Sequence, residues 1–437
     1  MSREPLQLQR LQLLGMPRLL ASFLLACSLT CDSFLRTYEQ NQYSVGDTSS
    51  VISHVFKETI PLLLSRDDIE KRDRVPQDHV HNVVFVVQQR NMDELTRILH
   101  DVSDPASANY GQHMTKEEVS EMTSNPEARD AVLKYINANG ATFVSETLSS
   151  EYITASAPIS VWERVFNTEF YTFHKIRQDG RREMLVRAER YWLPNELDQH
   201  VDSVFNTIQM PFQSFGALPT KMKNPMHTTA YDLSAKITPQ KLMAYYGVGE
   251  SKGSASSTQA VFATIKQYFS PNDLKYFFKT MGLPEETVAS STGNHTSDII
   301  CIRDSSSCSE ANLDVQYIMA ASPGSPTSYM YTDETFSTWL MTVANMTSPP
   351  LVISISYGAE EAGVQYSDMN AFNTEAIKMG VIGITIVVAS GDDGALTRKV
   401  REVGVSACAY SPFFPASSPY VVSVGATSVS DYHLKTN

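Results

Sequence analysis

Two regimes of hydrophobic spacing divide this chain. From His81 to Gln89 the run His-Asn-Val-Val-Phe-Val-Val-Gln-Gln is strand-like, rich in β-branched and aromatic residues. Asp93 to His100 changes to helical spacing, with Leu95, Ile98 and Leu99 on one face. Glu127–Asn139 predicts a second helix, with Pro126 in its first turn and Gly140 just past its end. Ala141–Thr147 and Glu151–Ala155 predict strands, Ile159–Asn167 a helix, and Phe170–Lys175 and Met184–Ala188 further strands. This interleaving predicts an α+β domain over residues 78–210.

Periodicity then lapses. Pro211 to Thr229 holds three prolines and four Lys or Met, and reads as an exposed linker, the kind of segment proteases cut. Beyond Tyr231 short apolar strands alternate with helices. Strands are expected at Val261–Ile265, Tyr329–Tyr331, Leu351–Ser356 and Ile384–Ala389. Helices are expected at Pro271–Met281, Glu310–Ala321, Glu334–Asn345 and Ser367–Met379. That order predicts a doubly wound parallel sheet. Ligands of such sheets sit beyond the carboxyl ends of strands, which directs attention to the residues just after Ser356 and Ala389.

Charge narrows the function classes. The 437 residues carry a formal net charge of −13, which argues against a nucleic-acid binder. Arg3, Arg10 and Arg18 precede an apolar run from Leu19 to Ala26, followed by the small residues Cys27, Ser28, Thr30 and Cys31. This reads as a secretory signal peptide over residues 1–31, with a run too short to span a bilayer. No later apolar stretch reaches spanning length, so no membrane span is expected. In a secreted chain, Asn294-His-Thr296 and Asn345-Met-Thr347 become glycosylation sequons. Cys301 and Cys308 are placed to close a small loop, while Cys408 is left without a partner.

Two acidic features carry candidate chemistry. Ser390-Gly-Asp392-Asp-Gly394 comes directly after a strand, and is either an active-site turn or a solvated one. Glu310 and Asp314 lie four apart, on one face of a helix. Half buried, they would share a proton; otherwise they are first-turn acids behind a Ser309 cap.

Glu310-Ala-Asn-Leu-Asp314-Val-Gln-Tyr317 resembles the acidic helix of the sedolisins, the serine-carboxyl peptidases. Ile353-Ser-Ile-Ser-Tyr-Gly358 resembles their substrate-flanking strand, and Ala389-Ser-Gly-Asp392-Asp-Gly-Ala395 their oxyanion turn. Phe414-Pro-Ala-Ser-Ser-Pro-Tyr420 resembles the next segment of that family, and Val102-Ser-Asp-Pro105 through Gly111 resembles the propeptide. The resemblance implies an α+β ferredoxin-like propeptide domain over 78–210, a linker over 211–229, and an incomplete subtilisin-like α/β doubly wound parallel-sheet domain over 230–437. It implies Glu310 as general base toward a serine hydroxyl, Asp314 as its orienting acid, and Asp392 as a protonated donor to the oxyanion. Ser356, Tyr357, Gly358 and Gly391 would bind a peptide or protein substrate. The propeptide would pack on its own catalytic domain. The expected setting is extracellular or a lysosome-like acidic compartment.

There are departures from the family pattern. The nucleophile motif Ser-Gly-Thr-Ser does not occur, and the sequence ends at Asn437, 45 residues beyond Asp392. Ser428, in Gly-Ala-Thr-Ser, lacks the downstream proline of the nucleophile motif. No cofactor is expected in this chain, since the family's calcium belongs to the complete domain. Ala359 stands where tripeptidyl-peptidase relatives carry an Asp, with Glu360 as a substitute. The chain as given is therefore expected to be an inactive peptidase precursor. The alternative is a pseudoenzyme whose propeptide inhibits or chaperones an intact relative. A carboxylate-pair glycosidase falls away, because two acids one turn apart on a helix cannot flank a glycosidic bond.

Overall fold

The computed structural model describes residues 53–60, 68–176, 182–211, 237–249, 252–394 and 412–426. The signal-like segment, most of the linker, Cys408 and Ser428 lie outside them.

The first block begins earlier than residue 78. β1 (His54–Thr59) and β2 (Ile69–Arg74) precede β3 (Val80–Val87). Next come α1 (Met92–Ser103), α2 (Lys116–Thr123) and α3 (Pro126–Ala138). Thr115 and Glu118 form a reciprocal capping box on α2, and Asn125 caps α3 with Pro126 in its first turn. β4 (Thr142–Glu146), β5 (Tyr152–Pro158), α4 (Ile159–Val165), β6 (Phe170–Ile176), β7 (Arg182–Ala188), β8 (Arg190–Pro194), α5 (Asn195–Asp198) and β9 (Val201–Phe205) complete it.

Four strands pair antiparallel in the order β4-β5-β3-β9. Side chains alternate across this sheet. Val83, Phe85 and Val87 point into a core with Val132 and Ile136 of α3 and Trp162 and Val165 of α4. Fully burying a large apolar side chain such as Phe85 contributes roughly 2–3 kcal/mol. Val84, Val86, Tyr152 and Phe205 turn to the other face, where they meet Met341 and Ala371 of the second block. Both faces of the sheet are therefore covered.

The second block runs α6 (Pro239–Tyr245), β10 (Gln259–Ala263), α7 (Pro271–Met281), β11 (Ser290–Thr292), α8 (Asp298–Arg303), α9 (Ser309–Ala321), β12 (Thr327–Tyr331), α10 (Phe336–Ala344), β13 (Val352–Ile355), β14 (Ala359–Glu360), α11 (Tyr366–Val381), β15 (Thr385–Ala389), β16 (Phe413–Phe414) and β17 (Val422–Val424). Six strands form a parallel sheet in the order β11-β12-β10-β13-β15-β17. The five residues of β10 are all buried. Ala260 and Phe262 face α10 and α11, and Val261 and Ala263 face α7 and α9, so helices cover both sides.

Some expectations shift. The strand expected to reach Ile265 stops at Ala263, and Ile265 and Lys266 both take left-handed φ of 55°. Cys308, not Ser309, occupies the cap position of α9, and it is disulfide-bonded to Cys301. Among the described residues no helix is long and apolar enough to cross a membrane.

The first block rests on α10 and α11. Leu95, Leu99 and Val119 pack with Ile377 and Val381. Gly380 is the reason Leu99 fits: a Cβ there would lie 2.5 Å from Leu99 Cδ1. Lys378 Nζ reaches Glu151 Oε1 at 2.9 Å and Glu375 Oε1 at 3.0 Å, and Tyr152 donates to Glu375 Oε1 at 2.9 Å.

Candidate active site

α9 is held firmly before it presents its acids. The Cys301–Cys308 bridge closes the turn ahead of it. Glu310 N–H donates to Gln267 Oε1 at 3.2 Å, and Asn312 Oδ1 accepts from Ser270 N–H at 2.8 Å. Ala311, Val315 and Met319 bury one face of α9 against the sheet. The helical period then puts Glu310 and Asp314 together on another face.

Asp314 meets the end of β13. Ser356 donates its hydroxyl to Asp314 Oδ1 at 2.8 Å. Asp314 Oδ2 is buried with no hydrogen-bond partner among the described residues. Burial first, then the nearby Glu310 carboxyl, push Asp314 up to about 8, against the lowering effect of Ser356. Asp314 thus holds its proton at neutral pH and below. Glu310 is also raised, by burial and then by the charge of Asp392. The three acids therefore form an electrostatically linked series, with Glu310 in the middle.

Asp392 reaches this series from the end of β15, just after Gly391, whose φ is +85°. Asp392 itself is exposed. Since β13 and β15 are parallel neighbours, Ser356–Gly358 and Gly391–Asp392 leave the sheet side by side. The Tyr357 ring stands edge-on to Phe262 at 5.6 Å, and its hydroxyl proton is held tightly by burial and by the charges of Asp314 and Glu310.

One residue of this region has no sequence signal. Phe413, on the two-residue strand β16, packs its ring against both Gly358 and Gly391. A Cβ on Gly358 would lie 2.7 Å from Phe413 Cδ1, and one on Gly391 would lie 3.4 Å from Phe413 Cγ. β14 and β16 pair antiparallel, which sets Phe413 opposite Glu360 and Phe414 opposite Ala359. A two-residue strand is too short for any periodicity to reveal it.

Of the sequon residues, Asn294 is exposed at a left-handed φ of 56°. Asn345 is exposed at the end of α10, and its side chain donates to Met341 O at 2.8 Å. No group of three or more His, Cys, Asp or Glu among the described residues could hold a metal ion.

Residues 67–210 match the family of the Pro-kumamolisin activation domain. The chain is 30% identical over 383 residues to tripeptidyl-peptidase 1 of Rattus norvegicus, covering 83% of this chain and 64% of that protein. It is 28% identical over 384 residues to physarolisin of Physarum polycephalum, covering 84% and 63%. The solved structure of Pseudomonas sedolisin, a serine-carboxyl proteinase, aligns with a TM-score of 0.34 at 20% identity, covering 44% of this chain and 54% of that one. The chain spans less than two thirds of the length of these curated relatives.

Proposed function

From a chain that belongs to the sedolisin family of serine-carboxyl peptidases, we infer the precursor of an acid-acting peptidase whose proton-handling acids are Glu310, Asp314 and Asp392. The observation that carries this reading is the electrostatic linkage of Asp314 and Glu310 on α9 with Asp392 after β15, with Asp314 bonded to Ser356 at the end of β13. A lone surface acid pair would be screened and would titrate normally. Here Asp314 keeps its own proton, which leaves the neighbouring Glu310 as the carboxylate that accepts one from an attacking serine hydroxyl. As the oxygen–carbon bond forms, Glu310 takes the hydroxyl proton, and it later returns that proton to the departing amine. Asp392, in its protonated form, would donate to the oxyanion of the tetrahedral intermediate. Ser356–Gly358 and Gly391 would line an extended peptide.

The family's nucleophile motif Ser-Gly-Thr-Ser does not occur in this sequence. Activity is thus proposed for the protein in which these residues are joined to that motif. The sheet order β4-β5-β3-β9 supports a ferredoxin-like propeptide over 78–210, and the parallel sheet supports a subtilisin-like domain after the linker. The disulfide, the two exposed sequons and the signal-like start support passage through the secretory route to the outside or to an acidic compartment.

The test reads the transcript past the codon for Asn437 and assays its product for peptide hydrolysis between pH 3 and pH 8. The reading expects a downstream Ser-Gly-Thr-Ser and an acid activity lost by orders of magnitude in Glu310→Gln. A rate flat across that range, or unchanged in Glu310→Gln, would contradict it.

A second reading is supported by the buried contact between the two blocks: the first block binds an intact relative as inhibitor or chaperone. Adding the 437-residue chain in excess to such a peptidase should lower its rate or raise its refolding yield. No effect on either would remove this reading.

A further inference from the structure

The strand β1 lies upstream of the matched activation-domain segment, which begins at residue 67. It pairs antiparallel with β8, but the register slips between Phe56 and Glu58. Phe56 faces Trp192 and Glu58 faces Tyr191, so Lys57 is the extra residue of a bulge. A regular pairing would have set Lys57 beside Tyr191. The bulge instead gives Glu58 the face of the buried Tyr191, and frees Lys57 to bridge Asp198 at 2.6 Å.

Glu58 so placed arrives at the start of α11. Most helices of the molecule with a capping residue use their own: Thr115, Asn125, Thr238, Ser270, Ser297 and Thr335 each accept a first-turn N–H. Gln365, at the cap position of α11, makes no such bond. Its amide donates to Ile208 O at 3.5 Å instead. Ser367 N–H donates to Glu58 Oε1 at 3.1 Å. The cap of α11 is therefore supplied from a strand more than 300 residues away in sequence. Gln209 adds a donor to Ser367 Oγ at 3.3 Å.

We propose that β1 is a docking strap, in which Glu58 inserts as the cap of α11 and fastens the activation block to the second block. The strap is an element added to the matched domain, and the surface it fits is the first turn of α11. Nothing in this fastening depends on a catalytic role.

The groups around Glu58 give the strap a pH dependence. Asp368 faces it from α11, and Tyr191 faces it from β8; the neighbouring cation Lys57 is engaged by Asp198. Burial raises Glu58 above the usual carboxylate range, the Ser367 bonds oppose this, and Asp368 adds to the rise. Asp368 is raised by burial, against its bonds to Ser337 and Thr335. Both carboxyls thus favour their protonated forms when docked. The strap is strongest below the ordinary carboxylate range and weakens as pH rises through the raised values.

Amide hydrogen exchange on the full chain tests this, corrected for intrinsic rates. Glu58→Ala should speed exchange of the Tyr366–Asp368 amides on the order of tenfold, the effect of losing a cap of ordinary strength. The amides of β5 and β10 should not change. Wild-type protection of Tyr366–Asp368 should fall as pH rises, and Glu58→Gln should shrink that fall to the part that Asp368 contributes. If Glu58→Ala does not fold, Ser367→Pro removes the donor from the other side in a first turn that tolerates proline, and should expose residues 54–59. Unchanged exchange at Tyr366–Asp368 in Glu58→Ala, or a rise of equal size throughout the chain, would overturn the strap.

Discussion

Ser356 donates its hydroxyl to Asp314 Oδ1 at 2.8 Å, tying the end of β13 to the second turn of α9. This bond joins a residue of the substrate-flanking segment to the acid pair. It also lowers Asp314, against the rise that burial and Glu310 impose. Ser356→Ala should therefore raise Asp314 further and cost about 1 kcal/mol of stability, the net worth of a typical hydrogen bond. Carboxyl titration and thermal unfolding of the variant check both effects.

Lys378 is the hinge of the contact between the blocks. Burial would lower it, yet Glu375 and Glu151 outweigh burial and raise it. Glu151 is raised by burial but lowered more strongly by Lys378 and its hydrogen bonds together, for a net fall. By linkage, the Glu151 contribution is present above its ordinary range near 4.5 and is lost as pH falls through its depressed value. Lys378→Met would leave two buried carboxylates unpaired, at a cost of roughly 3–5 kcal/mol. Acid should narrow the difference between variant and wild type. Denaturant unfolding at pH 7 and pH 4 measures it.

Gly358 and Phe413 should be energetically coupled. Gly358→Ala places a Cβ 2.7 Å from Phe413 Cδ1 and 3.0 Å from Phe414 O, so the β14–β16 pair must shift. The expected cost is about 1–3 kcal/mol, as for overpacking. Phe413→Ala in the same chain removes the ring contact but not the backbone one, so rescue should be partial. A double-mutant cycle on thermal stability reads the coupling, and strict additivity would disprove it.

Replacing both Cys301 and Cys308 by Ser opens the short loop ahead of α9. The expected loss is about 2–3 kcal/mol from the freed unfolded chain. Protection of the Glu310 amide, which bonds Gln267, should fall with it. Hydrogen exchange of the α9 amides gives the comparison.

Much of this architecture can be read from the residues. The acid pair is visible because four residues of helix bring Glu310 and Asp314 to one face, and the Ala260/Phe262 and Val261/Ala263 alternation announces a strand covered on both sides. The contacts that couple these parts are less visible. Ser356 lies 42 residues from Asp314, and only the sheet order brings them together. Phe413 sits on a strand of two residues. Glu58 is aimed by a bulge, and a bulge leaves no mark on hydrophobic spacing when the strand is largely exposed.

The chemistry of the site rests on a proton held by Asp314 beside Glu310. Carbon-13 carboxyl titration of the 437-residue chain between pH 3 and pH 10 measures it directly. The expected result is one carboxyl with a midpoint of about 8, absent from Asp314→Asn and moved upward in Ser356→Ala. A titration in which Asp314 deprotonates in the ordinary carboxylate range, unaffected by Glu310→Gln, would contradict it.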